Sequence, residues 1–330
     1  MRAIASAMVK ILVTAAVLAF IIWKLGWREI LGTCRQADLA WLAAALVLFF
    51  VSGWLGVVQW QIILKNRGVA LPFWRVFSLY FIGMFFNNFA LGIITGDAVK
   101  VAYIKLGEGQ GKAGFAATFL DRFAGLWAML GYAIFGSVLL IKQKALESRS
   151  MTLAIVALFV TFFCFGGALL FLMSKKLQTA AFALIDKIPF KKRDALKRIL
   201  DETIIETHDV HILLPVGVLS TVVQFMRIGV HIMCAGALGL LSAANIHYFF
   251  IFVPILAMMM VVPLPFGIRE SVGGTLFALA GFPAHAAIVM GFLATIVGSA
   301  ASLVGGIMFV INKFSPTRKT NEAINRDPIA

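Results

Sequence analysis

Long apolar runs separated by short polar segments dominate this chain. The runs lie at 8–23, 39–64, 73–94, 115–141, 151–173, 212–240, 249–262 and 284–311. An α-helix rises 1.5 Å per residue, so about twenty apolar residues cross the roughly 30 Å hydrocarbon core of a bilayer. The pattern predicts an all-α, polytopic membrane helix bundle of about eight membrane segments. We expect one integral membrane domain over 1–311, followed by a disordered cytoplasmic tail over 312–330.

The apolar run that begins at residue 249 is interrupted by the segment PLPFGIRE. Pro263 and Pro265 cannot both keep the hydrogen bonds of a helix, and Gly267 follows them, so the backbone is expected to open here. Open backbone is tolerated in a membrane only where protein or a water-filled cavity satisfies it. Arg269 and Glu270 come directly after this break. The segment therefore indicates a polar centre inside a membrane protein, with an extramembrane turn as the alternative.

A second polar transition ends the run at 73–94. Asn87 and Asn88 are adjacent, and the chain then passes through Gly92 into the sequence GDAVK, which begins at Gly96. We predict structural breaks at Gly92 and Gly96. If a helix begins at Asp97, then Asp97, Lys100 and Tyr103 share one face. A solvated helix cap explains Asp97 equally well.

Two further apolar helices carry charges within their predicted spans. Asp121 and Arg122 lie about two turns inside one of them, and neighbouring residues point about 100° apart. At least one of the two is therefore expected to face the bundle interior, unless both lie at the membrane interface. Gln224, Arg227 and His231 form a polar stripe on another helix. A buried arginine at mid-depth costs at least about 2.5 kcal/mol, which favours a cavity over lipid around this stripe.

Composition restricts the remaining possibilities. With 61% hydrophobic and 13% charged residues and a mean hydropathy of +0.96, the 330-residue chain is far more apolar than a soluble domain. The net charge of +14 is assigned to membrane orientation and anionic lipid, and no nucleic-acid partner is expected. Cys34, Cys164 and Cys234 have no metal-binding spacing, and His208 and His211 have no clear third ligand. We therefore expect no metal and no cofactor.

Basic residues predict the topology. Eight of them lie in a predicted amphipathic cytoplasmic loop at 174–211, and four lie in the tail. Treating 73–106 and 249–282 as re-entrant hairpins from opposite faces puts twenty Lys and Arg residues inside and six outside, against eighteen and eight if 73–94 simply crosses. The N-terminus is then cytoplasmic, and the two broken segments suggest an inverted repeat. The expected location is a bacterial or archaeal cytoplasmic membrane.

Four motifs together resemble the flippase-like family built on the membrane domain of lysylphosphatidylglycerol synthases. They are NNF at 87–89, GDAVK at 96–100, DRFAGL at 121–126 and PLPFGIRE at 263–270. The resemblance covers nearly the whole chain and implies a bundle of about eight membrane segments. In the characterised branch of the family it implies movement of an aminoacylated phospholipid between leaflets, and other branches are linked to lipid-linked sugars.

The chain departs from the family pattern in two respects. Ala90 and Leu91 stand where relatives often carry a proline after the Asn pair. The chain also shows no aminoacyl-transferase domain, so it is interpreted as a stand-alone member that does not make lysyl lipid. A lipid-synthesising enzyme partner and a homo-oligomer both remain open.

We therefore expect a lipid translocase and not an enzyme. The headgroup of a phospholipid or polyprenyl-linked lipid would pass through a polar interior while its acyl chains stay in the bilayer. The predicted substrate-binding residues are Asn87, Asn88, Asp97, Lys100, Asp121, Arg122, Gln224, Arg227, Arg269 and Glu270. One alternative is a lipid-modifying transferase with Asp97 and Glu270 as acid and base. The other is a non-transporting accessory subunit whose charges fix helix packing.

Overall fold

The computed structural model describes residues 28, 32–33, 35–89, 93–142, 156, 159–168, 171, 175–187, 210–259 and 268–314, and every element formed by these residues is helical. The α-helices are α1 (Leu39–Asn66), α2 (Phe73–Phe89), α3 (Ile93–Glu108), α4 (Gly111–Lys142), α5 (Lys175–Lys187), α6 (Leu213–Ala237), α7 (Phe249–Met259), α8 (Ile268–Leu279) and α9 (Ala284–Phe314). Short 3₁₀ turns at Val210–Ile212 and Ile246–Tyr248 precede α6 and α7. The prediction of an all-α membrane bundle is confirmed.

Among the described helices, α1, α4, α6 and α9 are long and apolar enough to cross a membrane. A shorter apolar helix, Phe159–Ala168, covers part of the span predicted at 151–173. Several sequence predictions fall outside the described residues: the span at 8–23, most of the loop at 174–211, the tail beyond residue 314, and four of the predicted break residues, Gly92, Pro263, Pro265 and Gly267.

The run at 212–240 contains Pro215, which does not interrupt α6, because it is the third residue of that helix, where a missing N–H costs no intrahelical bond. Two helix boundaries differ from the sequence interpretation. Helix α3 begins at Ile93, so Gly96 lies inside a helix and not at a break. Helix α9 continues to Phe314, three residues beyond the predicted end of the membrane domain.

The short helices form two pairs. Helix α2 has 17 residues and packs against α3, which has 16. Helix α7 has 11 residues and packs against α8, which has 12. At 1.5 Å per residue the longest of these measures about 25 Å, which is less than the hydrocarbon core of a bilayer.

Packing between helices repeats with a two-fold pattern. If α1, α2, α3 and α4 are matched in order to α6, α7, α8 and α9, the described contacts come in matched pairs. Helix α2 packs on α9 as α7 packs on α4, and α3 packs on α4 as α8 packs on α9. Helices α1 and α6 pack on each other. The chain therefore contains two copies of a helix, a short helix pair and a second long helix.

Helix ends repeat in the same way. Gly68 and Gly239 follow the matched helices α1 and α6, and Gly109 and Gly281 follow the matched helices α3 and α8. All four have positive φ, between 67° and 87°. A left-handed residue after a helix satisfies the last carbonyl groups, and only glycine adopts it without strain. These glycines turn the chain sharply at equivalent points of the two halves.

Apolar side chains cover both the inside and the outside of the bundle. Trp60, Phe81, Phe249 and Phe277 are fully buried between helices. Large apolar side chains are also exposed along the long helices, including Val47, Phe135, Phe225 and Ile307. A water-soluble monomer rarely exposes such continuous apolar surface. This exterior fits the hydrocarbon core of a membrane. The few polar groups in the interior are therefore the candidates for a functional site.

Candidate substrate site

The first charged centre joins α3 to α4. Arg122 donates from Nε to Asp97 Oδ2 at 2.8 Å and from Nη2 to Asp97 Oδ1 at 3.0 Å. This two-pronged contact matches the fork of the guanidinium to the carboxylate. Lys100, one turn further along α3, places its Nζ 3.1 Å from Asp97 Oδ1. One carboxylate therefore holds two cations.

Lys100 is enclosed by aromatic rings. Its Nζ lies 5.1 Å from the ring centre of Trp60 and 5.0 Å from that of Tyr80, and its side chain is 3% exposed. An ammonium over an aromatic face is attracted by the ring quadrupole. The rings thus replace part of the water that this cation loses on burial.

Asp121 faces a different partner from its neighbour Arg122. Gln59 on α1 donates from Nε2 to Asp121 Oδ1 at 2.9 Å, and Ser220 on α6 donates to Gln59 Oε1 at 3.0 Å. All three residues are buried. The expected divergence of Asp121 and Arg122 is therefore present, and Asp121 links α4 to α1 and α6 through one amide.

Close packing of α2 on α3 brings the first centre together. Gly96 N donates to Asn87 Oδ1 at 2.9 Å, which fixes the two helices at the end of α2. A Cβ at Gly96 would overlap both the Gly83 carbonyl oxygen and the Asn87 amide. Gly96 thus permits a close approach of two helix backbones. Asn88 donates to Gly298 O on α9 at 3.4 Å, so both asparagines serve helix contacts.

The second charged centre joins α8 to α9. Arg269 Nη2 donates to Glu270 Oε1 at 2.9 Å, and Thr295 Oγ1 on α9 donates to the same oxygen at 2.7 Å. Arg269 also donates to Thr295 Oγ1, which closes a triangle of three side chains. Glu270 is buried and lies in the first turn of α8, where the positive end of the helix dipole stabilises a carboxylate.

A small cavity adjoins this second centre. His231, Leu256, Arg269, Glu270 and Phe277 are among its lining residues. It has room for about one water molecule. A lipid headgroup does not fit this cavity as it stands, so any passage of a headgroup here requires helix movement.

The two centres occupy equivalent places in the two halves. Arg122 lies eleven residues after the start of α4, and Thr295 lies eleven residues after the start of α9. Each contacts a carboxylate on the helix just before its own, Asp97 on α3 and Glu270 on α8. The two-fold pattern of the helices therefore extends to the polar groups.

One face of α6 connects the two centres. Ser220 bonds to the Asp121 network, and His231 lines the cavity beside Glu270. Between them lie Gln224, buried against Gly125 of α4, and Arg227. Eleven residues of helix separate Ser220 from His231, a rise of about 16 Å. The polar stripe predicted from Gln224, Arg227 and His231 thus starts one turn earlier and links both halves.

Sequence reasoning missed Gln59, Ser220 and Thr295. Gln59 had a signal, because it is one of two amides, with Gln61, in the apolar run at 39–64, and Ser220 lies one turn before Gln224 on the predicted stripe. Thr295 had none, since one hydroxyl in an apolar helix usually bonds to its own backbone. Among the described residues no group of three or more His, Cys, Asp or Glu is arranged to hold a metal ion, and His208 lies outside them.

The sequence comparison agrees with this architecture. The family model of the lysylphosphatidylglycerol synthase TM region matches residues 7–306. The chain belongs to this family. A relative, a UPF0104 membrane protein of Pyrococcus horikoshii, is 26% identical over 337 residues, covering 92% of this chain and 96% of the relative. No solved structure matches the chain. Family membership identifies an integral membrane protein associated with lipid metabolism.

Proposed function

We propose that this protein moves a phosphate-bearing lipid between the leaflets of the membrane. The polar stripe of α6 carries the proposal, because it joins two charged centres through an otherwise apolar bundle. A headgroup crossing hydrocarbon must replace its water with hydrogen bonds or opposite charges. Side chains along this stripe supply both, while acyl chains remain outside among the exposed apolar residues.

The short helix pairs give this proposal a geometry. No single helix of either pair is long enough to span the bilayer. We interpret α2–α3 and α7–α8 as re-entrant hairpins that enter from opposite faces. Each charged centre then lies near the inner end of one hairpin, about midway through the membrane. The matched contacts of the two halves support exchange between two equivalent arrangements, one open to each side.

An enzymatic role finds less support in the arrangement. Asp97 is bound by two cations, and Glu270 accepts two hydrogen bonds, so neither carboxylate is poised to exchange a proton with substrate. We therefore propose a transporter that leaves its lipid chemically unchanged. The proposed location is the cytoplasmic membrane, with movement either passive or coupled to an ion.

Reconstitution in liposomes tests the function. Liposomes of neutral lipid would contain a trace of phosphatidylglycerol labelled on the headgroup side, and an impermeant quencher would report the accessible fraction. We expect protein-dependent loss of leaflet asymmetry, with the labelled lipid recovered intact by mass spectrometry. A modified lipid would favour the transferase alternative. Asymmetry as persistent as in protein-free liposomes, for phosphatidylglycerol, phosphatidylethanolamine and a polyprenyl phosphate alike, would refute translocation.

A further inference from the structure

Three arginines lie in the interior of the described bundle away from the helix ends, and two of them are paired. Arg122 holds Asp97 in a two-pronged contact, and Arg269 is bonded to Glu270 and Thr295. Between the two centres, the side chain of Arg227 makes no hydrogen bond or ion pair with the other described residues, although its carbonyl oxygen contacts His231 Nδ1. The residue is half-buried, and its Nε is enclosed and has no hydrogen-bond partner among the described residues. An enclosed nitrogen of a cation is costly to leave without a partner, which indicates that an anion belongs beside it.

The charges around Arg227 lead to the same conclusion. Away from the helix ends, the buried and half-buried interior carries four cations among the described residues, Lys100, Arg122, Arg227 and Arg269, and three carboxylates, Asp97, Asp121 and Glu270. A fifth half-buried cation, Arg67, lies at the C-cap of α1. Without Arg67, the excess is one positive charge. Arg227 interacts electrostatically with Asp121 and Tyr80, yet no carboxylate lies within ion-pair distance of it in the described part of the chain. One phosphate monoanion would neutralise this set of charges.

The place of Arg227 on α6 fits a transient ligand. It lies about 10 Å along the helix from Ser220, which bonds to the Asp121 network, and about 6 Å from His231 at the second centre. On the same stripe, Gln224 one turn before Arg227 can donate a hydrogen bond from its amide to a phosphate oxygen. His231, one turn after, uses Nδ1 on the Arg227 carbonyl oxygen. Arginine presents donors that match two phosphate oxygens at once.

We propose that Arg227 is the phosphate-binding residue of this protein, and that it holds the phosphate group of the ligand midway between the two charged centres. Arg122 and Arg269 then act mainly on Asp97 and Glu270. The binding of a phosphate group at Arg227 is inferred from the geometry alone. That the phosphate belongs to a lipid rests on the proposed function.

Binding measurements on the purified full-length protein in a neutral detergent test the inference without transport. The probes are dihexanoyl phosphatidylglycerol, inorganic phosphate and uncharged dihexanoylglycerol. We expect Arg227→Gln to weaken binding of the phosphatidylglycerol probe at least tenfold, about 1.4 kcal/mol. Arg227→Lys should fall between Arg227→Gln and wild type. The matched control is Arg75→Gln, the same substitution at an arginine that is largely exposed and paired with Glu108, which should change binding less than twofold.

The probes distinguish the source of the phosphate. Binding of the lipid probe with none of inorganic phosphate assigns the site to a headgroup, and equal dependence on Arg227 for both assigns it to phosphate in general. Equal affinity of wild type and Arg227→Gln would overturn the inference. So would tight binding of dihexanoylglycerol, since that ligand has no phosphate.

Stability without ligand provides a second readout. Because Arg227 has no anionic partner to lose in the described part of the chain, Arg227→Gln should melt no lower than wild type, whereas Arg122→Gln should melt lower. A drop for Arg227→Gln as large as that for Arg122→Gln would show a packing role and refute the inference. Failure of wild-type transport with Arg227-dependent binding intact would refute the proposed function alone.

Discussion

The interior charges of the two charged centres are surrounded by groups that replace water. Asp97 has two cations, Lys100 has a carboxylate and two aromatic rings, and Glu270 accepts from a guanidinium and a hydroxyl. Removing one member of a buried pair leaves the other without compensation, which is the costly event. Single substitutions therefore separate residues that only hold the fold from residues that also meet the substrate.

Replacing Arg122 with Leu tests this at the first centre. Asp97 keeps Lys100 as a partner, so we expect a loss of stability of about 1.5–3 kcal/mol, typical of a hydrogen bond to a charged group. Transport should fall at least tenfold, because the variant also removes a cation from the path. Leaflet-resolved lipid movement and melting temperature are measured side by side. Transport that falls only in proportion to folded protein would indicate a purely structural Arg122.

The second centre depends on the shape of its groups as well as their charge. Arg269→Lys keeps the charge, but a flexible ammonium lacks the rigid guanidinium plane that holds Nη2 against both Glu270 and Thr295. Glu270→Gln removes a charge at nearly constant shape. We expect both variants to fold and to move lipid several-fold more slowly in the liposome assay. If both variants move lipid at the wild-type rate, Arg269 and Glu270 have only a structural role.

Thr295→Val supplies the matched control for the same centre. It keeps the volume of the side chain and removes only the hydroxyl that contacts both Arg269 and Glu270. If the triangle of side chains positions Arg269, this variant should slow transport in the same direction as Arg269→Lys, with a melting temperature within a few degrees of wild type. Unchanged transport would show that Arg269 is positioned by Glu270 alone.

At the scale of the elements, the contact between α2 and α3 depends on a glycine. A Cβ at Gly96 would meet backbone of α2, which cannot move aside as a flexible side chain can. We expect Gly96→Ala to destabilise the protein by about 1–3 kcal/mol, as overpacking of a core does. Gly217, in α6, has open space around its Cβ position. Gly217→Ala should be neutral or stabilise by about 0.5–1 kcal/mol.

Thermal unfolding in detergent compares these two glycine variants directly. The same substitution in two helices isolates the effect of the α2–α3 contact from helix propensity. A melting temperature for Gly96→Ala equal to that for Gly217→Ala would mean that α2 and α3 do not pack at this distance.

The sequence predicted the helices well and their contacts only in part. Apolar runs located α1, α4, α6 and α9, because hydrophobicity over about twenty residues depends on local composition. Asp97 with Lys100 was predictable from helical spacing. The partners of Asp121 and Glu270 were not, since Gln59 and Thr295 are distant in sequence and only the packing of helices brings them near. Gly96 suggested a helix break because it is a glycine, but in the structure it lets the backbone of α3 approach the backbone of α2 at Gly83.

At the scale of the whole molecule, the two halves repeat each other in helix order, helix contacts and polar groups. If both short helix pairs entered the membrane from the same face, the site would open to that face only. If they enter from opposite faces, a two-fold axis in the membrane plane would relate the two charged centres, as alternating access requires. The hairpin interpretation therefore predicts a different topology from a model in which α2 crosses the membrane.

Ala70 and Ser242 decide between these topologies. Both are exposed and lie in short connections, Ala70 between α1 and α2, and Ser242 between α6 and α7. With α2–α3 as a hairpin from the cytoplasmic face, position 70 is inside and position 242 is outside. If α2 crosses instead, with the basic segment at 174–211 and the tail still inside, position 70 lies outside. In a cysteine-free background, we expect an impermeant maleimide to label Ser242→Cys in intact cells and to label Ala70→Cys only after permeabilisation. Labelling of Ala70→Cys from outside would refute the opposed hairpins, and with them the exchange of the two charged centres between the faces of the membrane.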